Sequence, residues 1–185
     1  MDPAQNRSHT ALVLVDLQRW IVELPLGPRG GPAVVEACER LRTALSAAEA
    51  EVVLVRYARA DGRDGGPAAP ATQLMLPILP GDHVVTKYGQ DAFEGTDLHR
   101  HLTRQGVTTV VIAGIATAHG VAATARTAAT LGYRTLVVED ATASSSAAEH
   151  RAALRTLRPH LDGLPTVAEL TGPTHDVPGH ECPDH

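Results

Sequence analysis

The segment VVIAGIATAHGVAATARTAATLGY, Val110 to Tyr133, decides how the chain folds. It opens on a β-branched run, Val110-Val111-Ile112, halts at Gly114 and gives way to an Ala/Thr/Arg stretch with helical spacing. A buried strand that turns sharply into a helix is the junction where α/β proteins hold their chemistry. The turn itself, Gly114-Ile115-Ala116-Thr117-Ala118-His119-Gly120, offers only Thr117, His119 and a glycine where a nucleophile would be expected.

The same alternation continues on either side. ALVLVDL (Ala11–Leu17) reads as a continuous apolar strand, followed by the loop ELPLGPRGGP and the helical pattern AVVEACERLRTALSAAEA. EVVLVRY is a second strand, and GDHVVTKYG a third that ends near Lys87. The helix TDLHRHLTRQG follows, with Thr96 as its expected N-cap and Gly106 as its C-cap. VTTVVIAG is strand four, residues 119–131 are helical, RTLVVED is strand five, and SSAAEHRAALRTLRP is a helix ended by Pro159. A last short strand is expected at Leu164–Val167. Apolar strands alternating with helices predict a parallel sheet covered on both faces, with right-handed crossovers.

Bulk properties narrow the function. A chain of 185 residues with 43% hydrophobic composition suits one domain, read here as residues 1–172, with residues 173–185 as a flexible tail rich in histidine and proline. The tail carries His175, His180, Cys182 and His185, a possible metal set without a rigid scaffold to fix its geometry. A net charge of −5 with both signs scattered, and only 3% aromatic residues, argue against a nucleic-acid partner. No run approaches the roughly 18 apolar residues of a membrane span, so a cytoplasmic protein is expected. Cys38 and Cys182 are too few and too far apart for a disulfide framework, and neither is an obvious nucleophile.

In an open parallel sheet, ligands bind beyond the carboxyl ends of the strands. Asp16 ends strand one, Lys87 ends strand three, and the Gly114–Gly120 turn follows strand four. Burial raises a carboxylate's pKa and a neighbouring ammonium lowers it, a pairing that makes an acid–base catalyst. Read singly, Asp16 is as well explained as a loop acceptor and Lys87 as a surface lysine with a buried stem; their joint placement favours a site.

The ordered set LVLVDLQ, HVVTKYGQDAFEGTDLHRHL and VVIAGIATAHGVAATARTAATLGYRTLVVEDATA resembles the isochorismatase-like hydrolase superfamily along nearly the whole chain. The resemblance implies a Rossmann-like three-layer α/β/α sandwich around a six-stranded, mostly parallel sheet. It also implies an Asp–Lys–Cys triad, matched here by Asp16, Lys87 and, at the nucleophile position, Gly120. With no thiolate to form an acyl-enzyme, amide hydrolysis of the nicotinamidase type is not expected. No Asp-x-His cluster follows strand two, and neither metal nor cofactor is expected.

What the resemblance leaves intact is a non-proline cis peptide between Ile115 and Ala116 and an oxyanion hole from the backbone N–H groups of Ala116 and Gly120. Isochorismatases similarly carry glycine at this position and cleave a vinyl ether. Protonation of such a substrate by a carboxylic acid gives an oxocarbenium ion that water captures, followed by release of pyruvate. Gln18 and Trp20, in DLQRW, resemble an Asp-x-Gln-aromatic pattern and are substrate-contact candidates, as are Ala116, His119 and Arg59. The expected function is hydrolysis of a small anionic enol ether or related substrate by Asp16 and Lys87 in a homo-oligomer. The alternatives are a binding pseudoenzyme that keeps the pocket, and a biosynthetic acid–base enzyme catalysing elimination, isomerisation or cyclisation.

Overall fold

The computed structural model describes residues 9–172, so the tail and its Cys182 lie outside the described residues. Five parallel strands form one sheet in the order β3-β2-β1-β4-β5. They are β1 (Thr10–Val15), β2 (Glu51–Tyr57), β3 (His83–Lys87), β4 (Thr109–Ile115) and β5 (Arg134–Ala143). β1 is central, paired with β2 on one edge and β4 on the other. Its continuous apolar run suits this position, because both of its faces are covered.

The strand alternation separates two cores. Ala11, Val13 and Val15 pack in the layer that holds α3 (Leu98–Arg104), α4 (Ala122–Thr130) and α5 (Ala147–Leu157). Leu12 and Leu14 pack in the opposite layer, with α1 (Arg19–Val22), α2 (Gly31–Ala47) and α6 (Val167–Thr171). α2 buries Val34, Ala37, Cys38 and Leu41, the i, i+3, i+4, i+7 stripe of an amphipathic helix. Each fully buried leucine in these layers contributes about 1.5–3 kcal/mol. The architecture is thus the three-layer α/β/α sandwich that the alternation of strands and helices predicts.

The chain runs β1 to β2 to β3 in one direction and then crosses back to place β4 on the other side of β1. The strand order reverses between β1 and β4, so the crevice beyond their carboxyl ends is where a ligand fits such a sheet. Gly114 makes this junction possible. Its φ of +119° disfavours any side chain, and a Cβ there would fall 2.1 Å from the Val15 carbonyl oxygen.

Three local expectations are corrected. The sixth strand is not formed: Gly163 makes one isolated parallel bridge to Leu136, and Glu139 N–H donates to the Pro165 carbonyl at 3.0 Å. Proline has no N–H to extend that ladder, and Thr166 with Glu169 forms a capping box that starts α6 instead. Asp97, not Thr96, occupies the N-cap position of α3; the Thr96 hydroxyl, one residue earlier, donates to the Ala92 carbonyl at 2.6 Å and accepts from Leu98 N–H, the first of the helix, at 3.3 Å. The helix after strand four begins with a π-helical turn, Thr117–Val121, before α4. No helix among the described residues is long and apolar enough to cross a membrane.

Gly114→Ala is expected to lower unfolding free energy by about 3 kcal/mol or more, or to prevent folding, because it combines a backbone clash with a disfavoured φ. Urea titration followed by circular dichroism measures this, and a loss below about 1 kcal/mol would contradict the close approach of β4 to β1.

Candidate active site

Asp16 is the first residue beyond β1 and Lys87 the last of β3. The Asp16 backbone is left-handed, φ 54°, a conformation that costs a non-glycine residue roughly 1–2 kcal/mol. Two hydrogen bonds hold it: Asp16 N–H donates to the Val55 carbonyl at 2.9 Å, and its own carbonyl accepts from Gln18 N–H at 2.8 Å. In this turn Asp16 Oδ2 lies 2.8 Å from Lys87 Nζ. Nζ also donates to the Gly89 carbonyl at 3.1 Å and sits 5.4 Å from the centre of the Tyr57 ring. Only 5% of Asp16 and 2% of Lys87 is exposed, so the pair is almost fully withdrawn from bulk solvent.

Burial pushes the Asp16 carboxyl up to about 6, against the opposing pull of the Lys87 ammonium. Its second oxygen, Oδ1, is buried and has no hydrogen-bond partner among the described residues. A carboxyl that titrates close to neutrality and keeps a free oxygen is suited to giving and retaking a proton.

Gly120 faces this pair. A Cβ built on it would lie 3.0 Å from both Asp16 Oδ2 and Val15 Cγ1 and 3.4 Å from Lys87 Nζ, closer than ordinary contact, so the glycine lets the turn pack directly against the carboxylate–ammonium pair. All three residues border one cavity of about 550 Å³. Its remaining wall is largely carbon: Trp20, Leu24, Leu26, Tyr57 and Ile115 contribute, with Tyr88 at the exposed edge. Ala116 and His119 also line it, and the Ile115–Ala116 peptide is cis.

The other sequence candidates divide. Trp20 borders the cavity and is 40% exposed. Gln18 does not border it: Nε2 donates to the Tyr57 and Thr72 carbonyls at 2.9 Å each, and Oε1 accepts from Tyr57 N–H at 2.7 Å. It is a buried staple between strand ends, which corrects its assignment as a substrate contact. Arg59 is corrected likewise. Its guanidinium donates to both Asp61 carboxylate oxygens, at 2.9 and 2.8 Å, in a surface loop away from the cavity. Short-range loop pairing captures this arginine because Asp61 is only two residues away.

Several cavity residues carried little signal in the sequence. Tyr57 and Tyr88 sit at the carboxyl ends of β2 and β3, where the strand-end rule could have found them. Ser145 and its hydrogen-bond partner Glu149 come from the start of α5, distant in sequence from every other wall. Behind the turn, Thr117 Oγ1 and His150 Nδ1 lie 2.8 Å apart, and Ala118 N–H donates to Ser144 Oγ at 3.1 Å. Desolvation lowers the His150 pKa, which keeps this buried imidazole neutral. Cys38 is buried against the Ala141 carbonyl, and burial pushes its thiol far up, so it is inert. Among the described residues no three His, Cys, Asp or Glu side chains gather into a metal-binding group.

The raised Asp16 value gives a stability prediction with a definite sign. Between about pH 4 and pH 6 the folded chain keeps a proton that the unfolded chain has released, so this group's stabilisation is full at low pH and declines as pH rises. The stability of the parent protein minus that of Asp16→Asn is expected to fall by up to about 3 kcal/mol across that window and to be flat above it. Urea midpoints at a series of pH values measure the difference, and a rising difference would contradict the assignment.

Comparison with known proteins bears on the family and the fold. The model of the isochorismatase domain matches residues 10–169. YecD, an isochorismatase family protein of Escherichia coli O157:H7, is 33% identical over 180 residues, covering 89% of this chain and 96% of YecD. YwoC of Bacillus subtilis is 35% identical over 177 residues, 87% and 92% of the two chains. A streptothricin hydrolase of Streptomyces noursei is 37% identical over 139 residues, but that match spans 72% of this chain and only 49% of the hydrolase. Among solved structures, an isochorismatase family protein from Burkholderia thailandensis superimposes with a TM-score of 0.80 at 35% identity, covering 87% of this chain and 93% of the other. A pyrazinamidase of Pyrococcus horikoshii in complex with zinc shares the fold, with a TM-score of 0.74 at 23% identity over 85% and 99% of the two chains. With the domain model spanning most of its length and two relatives aligned over nearly all of theirs, the chain belongs to the isochorismatase family of hydrolases.

Proposed function

We propose that this protein hydrolyses a small enol ether of the isochorismate type, releasing pyruvate, by acid–base chemistry at Asp16 and Lys87 and without a covalent intermediate. The observation that carries the reading is the buried Asp16–Lys87 pair at the wall of a cavity of about 550 Å³, with glycine at position 120, where even a Cβ would crowd Asp16 Oδ2 at 3.0 Å. The reacting groups that face the cavity are thus the acid and the ammonium, with no nucleophilic side chain at 120.

Neutral Asp16 delivers its proton to the methylene carbon of the enol ether, and the developing positive charge spreads onto the ether oxygen. The carboxylate left behind is stabilised by the Lys87 ammonium 2.8 Å away. Water adds to the oxocarbenium carbon, and the resulting hemiketal collapses to pyruvate and an alcohol. The apolar wall around Trp20, Tyr57 and Leu26 suits the hydrocarbon part of such a substrate. Arg59 is tied to Asp61, so a substrate carboxylate has the backbone N–H groups around Ala116 and Gly120 as its partners. The relative named streptothricin hydrolase supports hydrolysis as the reaction type.

Incubation with isochorismate, with pyruvate followed through lactate dehydrogenase, tests the proposal. The parent protein is expected to release pyruvate, and Asp16→Asn to lower kcat by about 10²–10⁴-fold, the range for a lost general acid. No turnover, or turnover untouched by Asp16→Asn, would remove the claim. Gly120→Ala is expected to fold but to lower kcat/KM about 10²-fold, since its methyl group displaces the reacting atoms.

A further inference from the structure

The enol-ether reaction has a second half in which water is deprotonated and the hemiketal collapses. Water must lose a proton as its oxygen bonds to the oxocarbenium carbon, and Asp16 has just become a carboxylate paired with Lys87. A second titratable group at the same cavity is therefore of interest.

His119 immediately precedes Gly120 on the π-helical turn, and its ring borders the cavity. Its Nε2 lies 3.9 Å from Glu149 Oε1, and among the described residues the ring has no other polar partner. Glu149 is not a freely moving surface carboxylate. Its Oε2 accepts from both the N–H and the hydroxyl of Ser145, at 3.0 and 2.7 Å, and its own N–H donates to Ser146 Oγ at 3.1 Å. These bonds fix Oε2 on the start of α5 and leave Oε1 for the imidazole. The Ser145 hydrogen bonds also hold the Glu149 carboxyl below the usual carboxylate range, so it stays charged. The titratable groups that share the cavity with His119 are Asp16, Lys87, Tyr57 and Tyr88, and Glu149 approaches the ring from α5.

We propose that His119 is the general base that takes the proton from the attacking water, with Glu149, fixed by Ser145 and 3.9 Å away, as the nearby negative charge that favours the protonated ring. This rests on the enol-ether reading above. As the water oxygen bonds to the cationic carbon, its proton passes to the free imidazole nitrogen. On collapse of the hemiketal, the imidazolium returns a proton to the departing alcohol oxygen. The hemiketal hydroxyl gives its proton to the Asp16 carboxylate, which restores the starting acid. One water is consumed, and both residues finish as they began. A carboxylate that steadies an imidazole in this way stabilises the imidazolium without itself becoming protonated.

The test measures kcat and kcat/KM against pH with isochorismate, on the parent protein and on His119→Gln and Glu149→Gln. Glutamine at 149 keeps an oxygen to accept from Ser145 but lacks the charge, so it separates the electrostatic role from the structural one. His119→Gln is expected to lower kcat about 10²-fold or more and to abolish the acidic limb of the profile. Glu149→Gln is expected to lower kcat about tenfold and move the acidic limb to lower pH, with the alkaline limb, set by Asp16, in place. Melting temperatures close to the parent's exclude a folding defect in these two half-exposed positions. An active parent whose two variants stay within about twofold of it, with the acidic limb unmoved, overturns the base role and leaves the Asp16 chemistry standing. A parent with no turnover overturns the reaction itself, and the base role with it.

Discussion

The carboxylate of Asp16 and the ammonium of Lys87 meet 2.8 Å apart at the carboxyl end of the sheet, in a place from which solvent is nearly excluded. Withdrawing two charges from water is expensive, and their attraction only roughly offsets it, so the pair is a poor device for stability. Its merit is chemical. The same burial that makes the pair costly lifts the carboxyl into the range where it can hold or release a proton near neutrality. Losing either partner would leave an uncompensated buried charge, which ties the site to the integrity of the three strands that carry it.

Those strands are held in register by devices that do no chemistry. The parallel ladder of β1 with β2, and of β2 with β3, brings residues 16 and 87 to the same end of the sheet although 70 positions separate them along the chain. Gln18 fastens the loop after β1 to Tyr57 and Thr72 with three hydrogen bonds. Gly114 lets β4 lie against the Val15 carbonyl, and the contacts of Thr117 with His150 and of Ala118 with Ser144 hold the following turn from behind. The wall of the cavity is therefore rigid where the reacting atoms would sit. Its mouth, by contrast, is lined by the partly exposed Trp20, Leu24 and Tyr88.

A glycine opposite a buried acid–base pair changes what the fold does with its crevice. A side chain at 120 would press on Oδ2 and approach Nζ, and the carboxyl would serve it as a base. In the proposed reaction the pair meets the substrate directly, and a second group serves the water. The neighbouring imidazole, backed by a carboxylate whose other oxygen is tied to Ser145, stands where such a group would be useful. The two halves of the reaction then fall to groups on opposite sides of the strand-order reversal.

The sequence by itself determined the parallel sheet covered by helices on both faces, because this depends on short-range patterns, whereas the central place of β1 came from the strand order. Continuous apolar runs, helical stripes and a strand stopped at glycine are legible one segment at a time. Asp16, Lys87 and the Gly114–Gly120 turn could be singled out because strand ends in a parallel sheet share one edge, and the family resemblance pointed to Gly120 within that turn. Other features were decided only by the tertiary structure. Pro165 and the Thr166–Glu169 capping box turned an apolar stretch into the start of α6 instead of a sixth strand, since proline cannot donate to the ladder. Gln18 became a staple and Arg59 a partner of Asp61 because each side chain bonds to the groups that folding puts nearest to it. The pairing of His119 with Glu149, and the cavity that Tyr57, Tyr88 and Ser145 help to close, join segments far apart along the chain, and no local pattern encodes the distance between them.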